Sequence, residues 1–276
     1  MKLSVVVVSH NTRAVLAECL GRLERHYPGA EVIVVDAASS DGSPEMVGRD
    51  FPRVRLRQIE NRGYPFAVNR GLEWAGGEWL VQMNSDIYLE TGDLEALQAA
   101  LAADPRAAFA GPTLVTPQGS YQSFGLFDLY RWNLRGPRGV GWVSGAVMMV
   151  RRGAYQDFGG MDERLFFYNE EVEWCWRARR RGWRSLLVPR RVLHLGGAST
   201  PGDPRFLAEG VRGGLLLTRD YLPWLHGLHL KAVGVEAALR LRLDPDPRRR
   251  AAYGLIRGMI ESGRLEHSPL RDSGPA

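Results

Sequence analysis

Two hydrophobic patterns alternate along the first two hundred residues. Leu3–Val8 and Glu31–Val35 are unbroken β-branched runs, the pattern of strands buried on both faces. Between them, Arg13–His26 places Val15, Leu16, Cys19, Leu20 and Leu23 at helical spacing, with Asn11 or Thr12 available as cap and Pro28-Gly29 as stop. A turn-rich stretch, Ala37–Ser43, leads to a helix over Pro44–Asp50 and a third strand over Val54–Ile59. Pro65–Ala75 predicts another helix, Gly76-Gly77 stops it, and Trp79–Met83 predicts a fourth strand. Strands joined by helical crossovers predict a parallel α/β sheet. Further on, Leu94–Ala103 and Val172–Arg181 read as helices. Phe109–Val115, Gly141–Arg151, Ser185–Val188 and Val192–His194 read as strands.

The texture changes near Pro204. Phe206–Leu222 and Leu225–Leu243 are apolar with interspersed arginines, Asp244–Pro247 punctuates, and Arg248-Arg249-Arg250 opens a last helix. Ser268–Ala276 has the composition of a disordered tail.

With 276 residues, 45% of them hydrophobic and 24% charged, the chain suits one large domain or a domain with an appendage. The net charge of +5 comes almost wholly from arginine, since Lys2 and Lys231 are the only lysines. That excess sits either on solvated faces or on a surface that meets anions: nucleotide phosphates, anionic lipid or nucleic acid. Cys19 and Cys175 both fall in helical patterns, as buried reduced thiols do, and no zinc-type spacing exists. Leu3–Val8 is too short for a signal peptide, and no stretch approaches the roughly 20 apolar residues of a membrane span. A cytoplasmic protein is expected, with room for peripheral contact at the inner face of the plasma membrane.

In open parallel sheets, ligands bind outside the carboxyl ends of the strands. Three polar clusters fall there: Ser9-His10-Asn11, Asp36 with Ser39-Ser40-Asp41-Gly42, and Asn84-Ser85-Asp86. Asp36 suits the N–H edge of a nucleobase, or caps its own loop through Ser39 or Ser40. Asp86 suits a hard divalent cation that takes its other ligands from a diphosphate, or is a turn residue. Glu170-Glu171 opens a helix, where an ionised carboxylate is either a general base or a dipole partner. Glu173 faces solvent or pairs with Arg177. His194, followed by two glycines one residue later, is either a ligand or a satisfied core histidine. A dinucleotide fingerprint, a P-loop and a nucleophile elbow are all absent.

Five segments occur in one order: "LSVVVVSHNT", "EVIVVDAASSDGS", "ENRGYPFAVNRGLEWAGGEWLVQMNSD", "VSGAVMMVRRGAYQDFGGMDERLFFYNEEVEWCWRARRRGW" and "VLHLGGAST". In this the sequence resembles the inverting family 2 glycosyltransferases of GT-A fold, especially rhamnosyltransferase-like bacterial members, over about Met1–Thr200. The resemblance implies a GT-A domain over residues 1–204, with a mostly parallel central sheet flanked by helices. A basic, amphipathic helical extension would span 205–267 and a disordered tail 268–276. It also implies nucleotide-binding roles for Ser9, Asp36, Asn61, Asn84 and Asp86, with Mg or Mn held by Asp86 and approached by His194. Glu171 stands where the family's catalytic base is usually Asp; Glu170 is the alternative, and Trp142 and Glu170 are candidates for the acceptor side. The implied reaction is direct displacement of a nucleoside diphosphate by an acceptor hydroxyl, with inversion, in polysaccharide or glycolipid synthesis. The donor expected is a UDP- or TDP-sugar, with TDP-rhamnose one candidate, and the acceptor a saccharide or a lipid-linked one. The extension would lie on anionic lipid, cap the domain or make a homodimer contact. A sugar-phosphate nucleotidyltransferase fits less well, because Ser9-His10-Asn11-Thr12-Arg13 replaces that class's Gly-rich loop. A non-catalytic, arginine-rich nucleic-acid- or membrane-binding module leaves the polar strand ends unexplained, a degenerate transferase that only binds nucleotide is suggested by Glu171 in place of Asp, and nucleic acid is not an expected partner.

Overall fold

Alternate residues of the first strand serve opposite faces of the sheet. In β1 (Leu3–Ser9), Val5 and Val7 pack into one core and Val6 and Val8 into the other. This is why the strand reads as one apolar run. The computed structural model describes residues 2–122, 136–196 and 202–271. β1 pairs in parallel with β2 (Glu31–Ala37) and β4 (Trp79–Asn84), and β2 with β3 (Arg55–Ile59). The crossovers are α1 (Arg13–His26), α2 (Ser43–Asp50) and α3 (Tyr64–Trp74). The parallel N-terminal half is therefore as expected.

The other half is mixed. β8 (Val147–Arg151) is antiparallel to both β4 and β6 (Ala107–Val115). β9 (Arg184–His194) returns parallel to β6, and β5 (Ile87–Tyr88) and β7 (Arg138–Val140) pair antiparallel with β9. Two short strands were expected where β9 runs as one; a register shift between Pro112 and Thr113 of β6 absorbs the irregularity. The expected strand Gly141–Arg151 begins only at Val147, because the Gly145 carbonyl is turned to accept from Gln82 Nε2 at 2.8 Å. α1, α2 and α4 (Asp93–Ala103) cover one face, while α3, α5 (Arg152–Phe158) and α6 (Glu170–Arg180) cover the other. Both cysteines are buried thiols within these two cores.

α7 (Pro204–Tyr221), α8 (Pro223–Leu243) and α9 (Pro247–Ser262) form a helical unit with its own small cores around Leu215, Leu216, Ala237, Tyr253 and Ile256. Polar chemistry joins it to the sheet domain. Glu209 and Arg212, one turn apart on α7, are both fully buried. Arg212 donates to both Glu209 carboxylate oxygens at 2.6 and 2.8 Å, and also to the carbonyls of Leu265 and Arg164. Glu209 also accepts from the Phe166 amide and the Ser268 hydroxyl, each at 2.8 Å. Ser268, expected to begin a disordered tail, is thus buried, because Glu209 needs its donor; the rest of that tail from 272 lies outside the described residues. So do Gly197–Thr200 of the "VLHLGGAST" segment.

Removing one member of a buried pair strands the other charge, which costs about 3–5 kcal/mol. Arg212→Met is therefore expected to lower the urea unfolding free energy by about that amount. Glu209→Leu/Arg212→Met should lose clearly less than the sum of the single changes. Additive losses would show that the two groups are not coupled.

Candidate active site

The polar clusters at the ends of β1 and β2 are laced to each other. His10 Nδ1 lies 2.7 Å from the Ala37 carbonyl, and the Asn11 amide donates to Ser39 Oγ at 2.8 Å. Asn11 Oδ1 accepts from the Ser40 amide, and Asp41 Oδ2 from the Arg13 amide, each at 2.8 Å. Asp41 thereby does the capping of α1 that the sequence assigns to Asn11 or Thr12. Thr12 instead joins a buried hydroxyl chain, 3.1 Å from Ser9 Oγ and 2.8 Å from Ser85 Oγ.

A cavity of about 270 Å³ opens beyond these strand ends. Asn61, Asn84, Asp86 and His194 line it, as the sequence predicts, with His10, Tyr64 and Phe166–Tyr168 among their neighbours. The other predicted residues stand off its wall. Ser9 is turned into the hydroxyl chain. Asp36 is 1% exposed and accepts from the Ser39 amide at 2.9 Å and from its hydroxyl at 2.6 Å. At rest it is the loop cap, and its neighbour Ala37 faces the cavity. Trp142 packs half-buried against the core beneath α3, α5 and α6. Glu173 pairs with Arg177 and accepts from the Tyr221 hydroxyl, so it is buried rather than solvated.

Glu170 and Glu171 start α6 immediately after the aromatic wall. Tyr168 and Asn169, with φ of 68° and 69°, hold the turn between wall and helix in left-handed backbone. Asn169 Nδ2 secures it by donating to the Gly210 carbonyl of α7 at 2.9 Å. Burial pushes the Glu171 carboxyl up to about 7, and the same desolvation, with the Glu171 charge beside it, holds Glu170 well above its usual range. One oxygen of Glu170 has no partner among the described residues. Burial, then the charges of Glu170, Glu171 and Asp86, raise the Tyr64 hydroxyl, so this side chain lies in the field of all three carboxylates. Tyr64 donates to Gln82 Oε1 at 2.5 Å. Its amide donates to the Phe166 carbonyl, which only Gly63 permits: a Cβ there would lie 2.6 Å from that oxygen.

The metal question turns on Gln122, which the sequence did not single out. Its Nε2 donates to the His194 carbonyl at 3.0 Å, which fixes the amide's orientation. Its Oε1, 2.6 Å from His194 Nδ1, must then accept from that nitrogen. In the neutral ring, Nε2 presents a lone pair to Asp86 Oδ1 at 3.4 Å. Two acceptors so placed repel unless a cation or a proton lies between them. One carboxylate oxygen and one imidazole nitrogen on an open wall fit a divalent ion that completes its shell from phosphate and water. Among the described residues no group of three metal-binding side chains exists.

The mixed α/β sheet thus carries at its strand ends an aromatic-walled cavity with one carboxylate, Asp86, set against His194. The sequence model for Glycosyl transferase family 2 matches residues 4–158, and the chain belongs to this family. It is 35% identical over 211 residues to the N-acetylglucosaminyl-diphospho-decaprenol L-rhamnosyltransferase of Mycobacterium tuberculosis, covering 63% of this chain and 69% of that one. It is 23% identical over 197 residues to the low-salt glycan biosynthesis hexosyltransferase Agl10 of Haloferax volcanii, covering 64% and 62%. The fold is shared with a Pyrobaculum calidifontis mannosyltransferase solved with GDP-Man and Mn2+, at a TM-score of 0.60 and 18% identity over 96% of this chain and 86% of that one. S. aureus TarS bound to UDP gives a TM-score of 0.59 at 17% identity, over 98% and 73%.

The raised Glu171 carboxyl also has a stability consequence. Its protonated form is favoured by folding, so its contribution is fully present below the usual value of 4.5 and is lost as pH climbs through about 7. Glu171→Gln should melt at nearly the wild-type temperature at pH 4.5 and above it at pH 8. A gap unchanged across that range in thermal scans would contradict the desolvated carboxyl.

Proposed function

We propose that the chain transfers a sugar, with inversion, from a nucleoside-diphosphate donor to a hydroxyl of a lipid-linked saccharide in cell-surface glycan synthesis. The observation that carries this is the facing pair of acceptors, Asp86 Oδ1 and His194 Nε2, on the wall of the strand-end cavity. Likeness to a rhamnosyltransferase named for a diphospho-decaprenol substrate supports the acceptor class and makes a UDP- or TDP-sugar, TDP-rhamnose among them, the donor to try first.

In this reading Asn61, Asn84 and His10 line the nucleotide's place, and Asp86 with His194 would hold Mg or Mn. Such an ion supplies charge neutralisation for the departing diphosphate. Asp36 braces the base side of the pocket through Ser39; it could meet a base N–H directly only after Ser39 turns away. Glu171 takes the proton from the acceptor hydroxyl. The acceptor oxygen then bonds to the anomeric carbon as the bond from that carbon to the diphosphate oxygen breaks on the opposite face. A carboxyl poised near 7 is a competent base around neutral pH. A lipid-linked acceptor would keep the enzyme against a membrane, and among the described residues no helix is long and apolar enough to cross one.

Glu171→Gln is expected to keep donor affinity and lose turnover by about 10²–10⁴-fold. Wild-type turnover should rise with pH through about 7, as Glu171 loses its proton. Turnover near wild type in the Gln variant would remove Glu171 from this role. Asp86→Ala should abolish Mn2+-dependent binding of the nucleoside diphosphate by calorimetry; unchanged affinity would reject the cation site. Thermal stabilisation by individual nucleoside diphosphates with Mn2+ identifies the base.

A further inference from the structure

The sequence treats the whole C-terminal extension as a basic amphipathic segment. The structure divides it. α7 and α9 bury their apolar faces in the bundle, but α8 is apolar on two opposite sides and only one of them is covered. Leu230, Val233, Ala237 and Leu241 pack inward. Trp224, Leu228, Val235, Leu239 and Leu243 are 54–80% exposed. At 100° per residue these five fall within about a 100° arc and form a stripe about 28 Å long. A surface helix normally turns one apolar side to the core and a polar side to water, so a second, uncovered apolar side calls for an occupant.

We propose that this outer face of α8 is the surface by which the enzyme docks on an anionic lipid bilayer, with the stripe lying in the interface plane. The charges around it favour that occupant. Arg242 falls on this arc and Lys231 about 20° outside its edge, and neither has a carboxylate within ion-pair distance among the described residues. The acidic residue of this helix, Glu236, is turned to the Tyr253 hydroxyl and to Arg240. Long basic side chains at the edge of an apolar stripe reach outward to lipid phosphates while their stems stay on the apolar surface. Trp224 at the head of the helix suits the headgroup region, where amphipathic rings settle.

The inference deepens the lipid-linked acceptor reading, and its test separates the two. The full chain is sedimented with phosphatidylcholine vesicles, with and without phosphatidylglycerol. Binding is expected only with the anionic lipid and should weaken as salt is raised. Leu228→Ser/Leu239→Ser should bind these vesicles about tenfold or more weakly. Its melting temperature and its transfer to a soluble acceptor analogue should match wild type. Wild-type protein that ignores anionic vesicles yet glycosylates a detergent-dispersed lipid acceptor would overturn the docking surface and leave the functional reading standing. Vesicle binding without transfer to any acceptor would do the reverse. A dimer in sedimentation velocity that the double substitution dissociates would give the stripe to a second copy, and the proposal would fall.

Discussion

The position of the cavity's aromatic wall depends on one fully buried ion pair. Glu209 and Arg212 have no water around them, so each must find every hydrogen bond within the protein. They find them on three separate segments: the backbone of Arg164 and Phe166, the turn at Leu265 and Ser268, and each other. The Phe166 amide that Glu209 holds belongs to the segment whose carbonyl receives the Tyr64 amide. The strained pair Tyr168 and Asn169 follows, and then Glu170 and Glu171. The left-handed turn is unfavourable on its own and persists because α7 over-determines it. The C-terminal helices are thus a structural part of the site.

This dependence explains how carboxylates with raised proton affinity survive beside the cavity. Glu170 and Glu171 would relieve their desolvation if α6 tipped toward water. α6 is held at its first turn by Asn169 and at its last by Arg180, whose guanidinium lies 4.1 Å from the Tyr221 ring centre. Destabilisation confined to two side chains is tolerated because the surrounding network fixes their place, at some expense in stability above neutral pH.

The parts of this molecule legible in the sequence are those set by local pattern. Valine runs gave the central strands, and Asn61, Asn84, Asp86 and His194 reach the cavity because a parallel sheet delivers strand ends to one edge. What stayed hidden depends on contacts distant in the chain. The inward turn of Asp36 needs Ser39 held by Asn11, and the proton on His194 needs Gln122, 72 residues away. Phe166–Tyr168 read as ordinary apolar residues, since nothing local says that Glu209 and Gly63 fix their backbone. The exposed stripe of α8 was hidden for the opposite reason: with apolar residues on two opposite sides, its sequence does not say which side is covered.

Glu171 shows how a long acid is seated at the first turn of α6. An extra methylene needs room, and the room lies against Gly145. A Cβ at that position would stand 3.3 Å from Glu171 Cβ and 3.6 Å from its carboxyl carbon. With no side chain at 145, the acid lies against the backbone there; Glu171 is not among the residues that line the cavity. The same Gly145 presents its carbonyl to Gln82 and lies 3.1 Å from the Tyr64 hydroxyl. The residue that admits the longer carboxylate is therefore held by the Gln82–Tyr64 pair. A larger residue at 145 would press on Glu171 and on that pair together, so the length of the acid and the glycine opposite it form a single constraint.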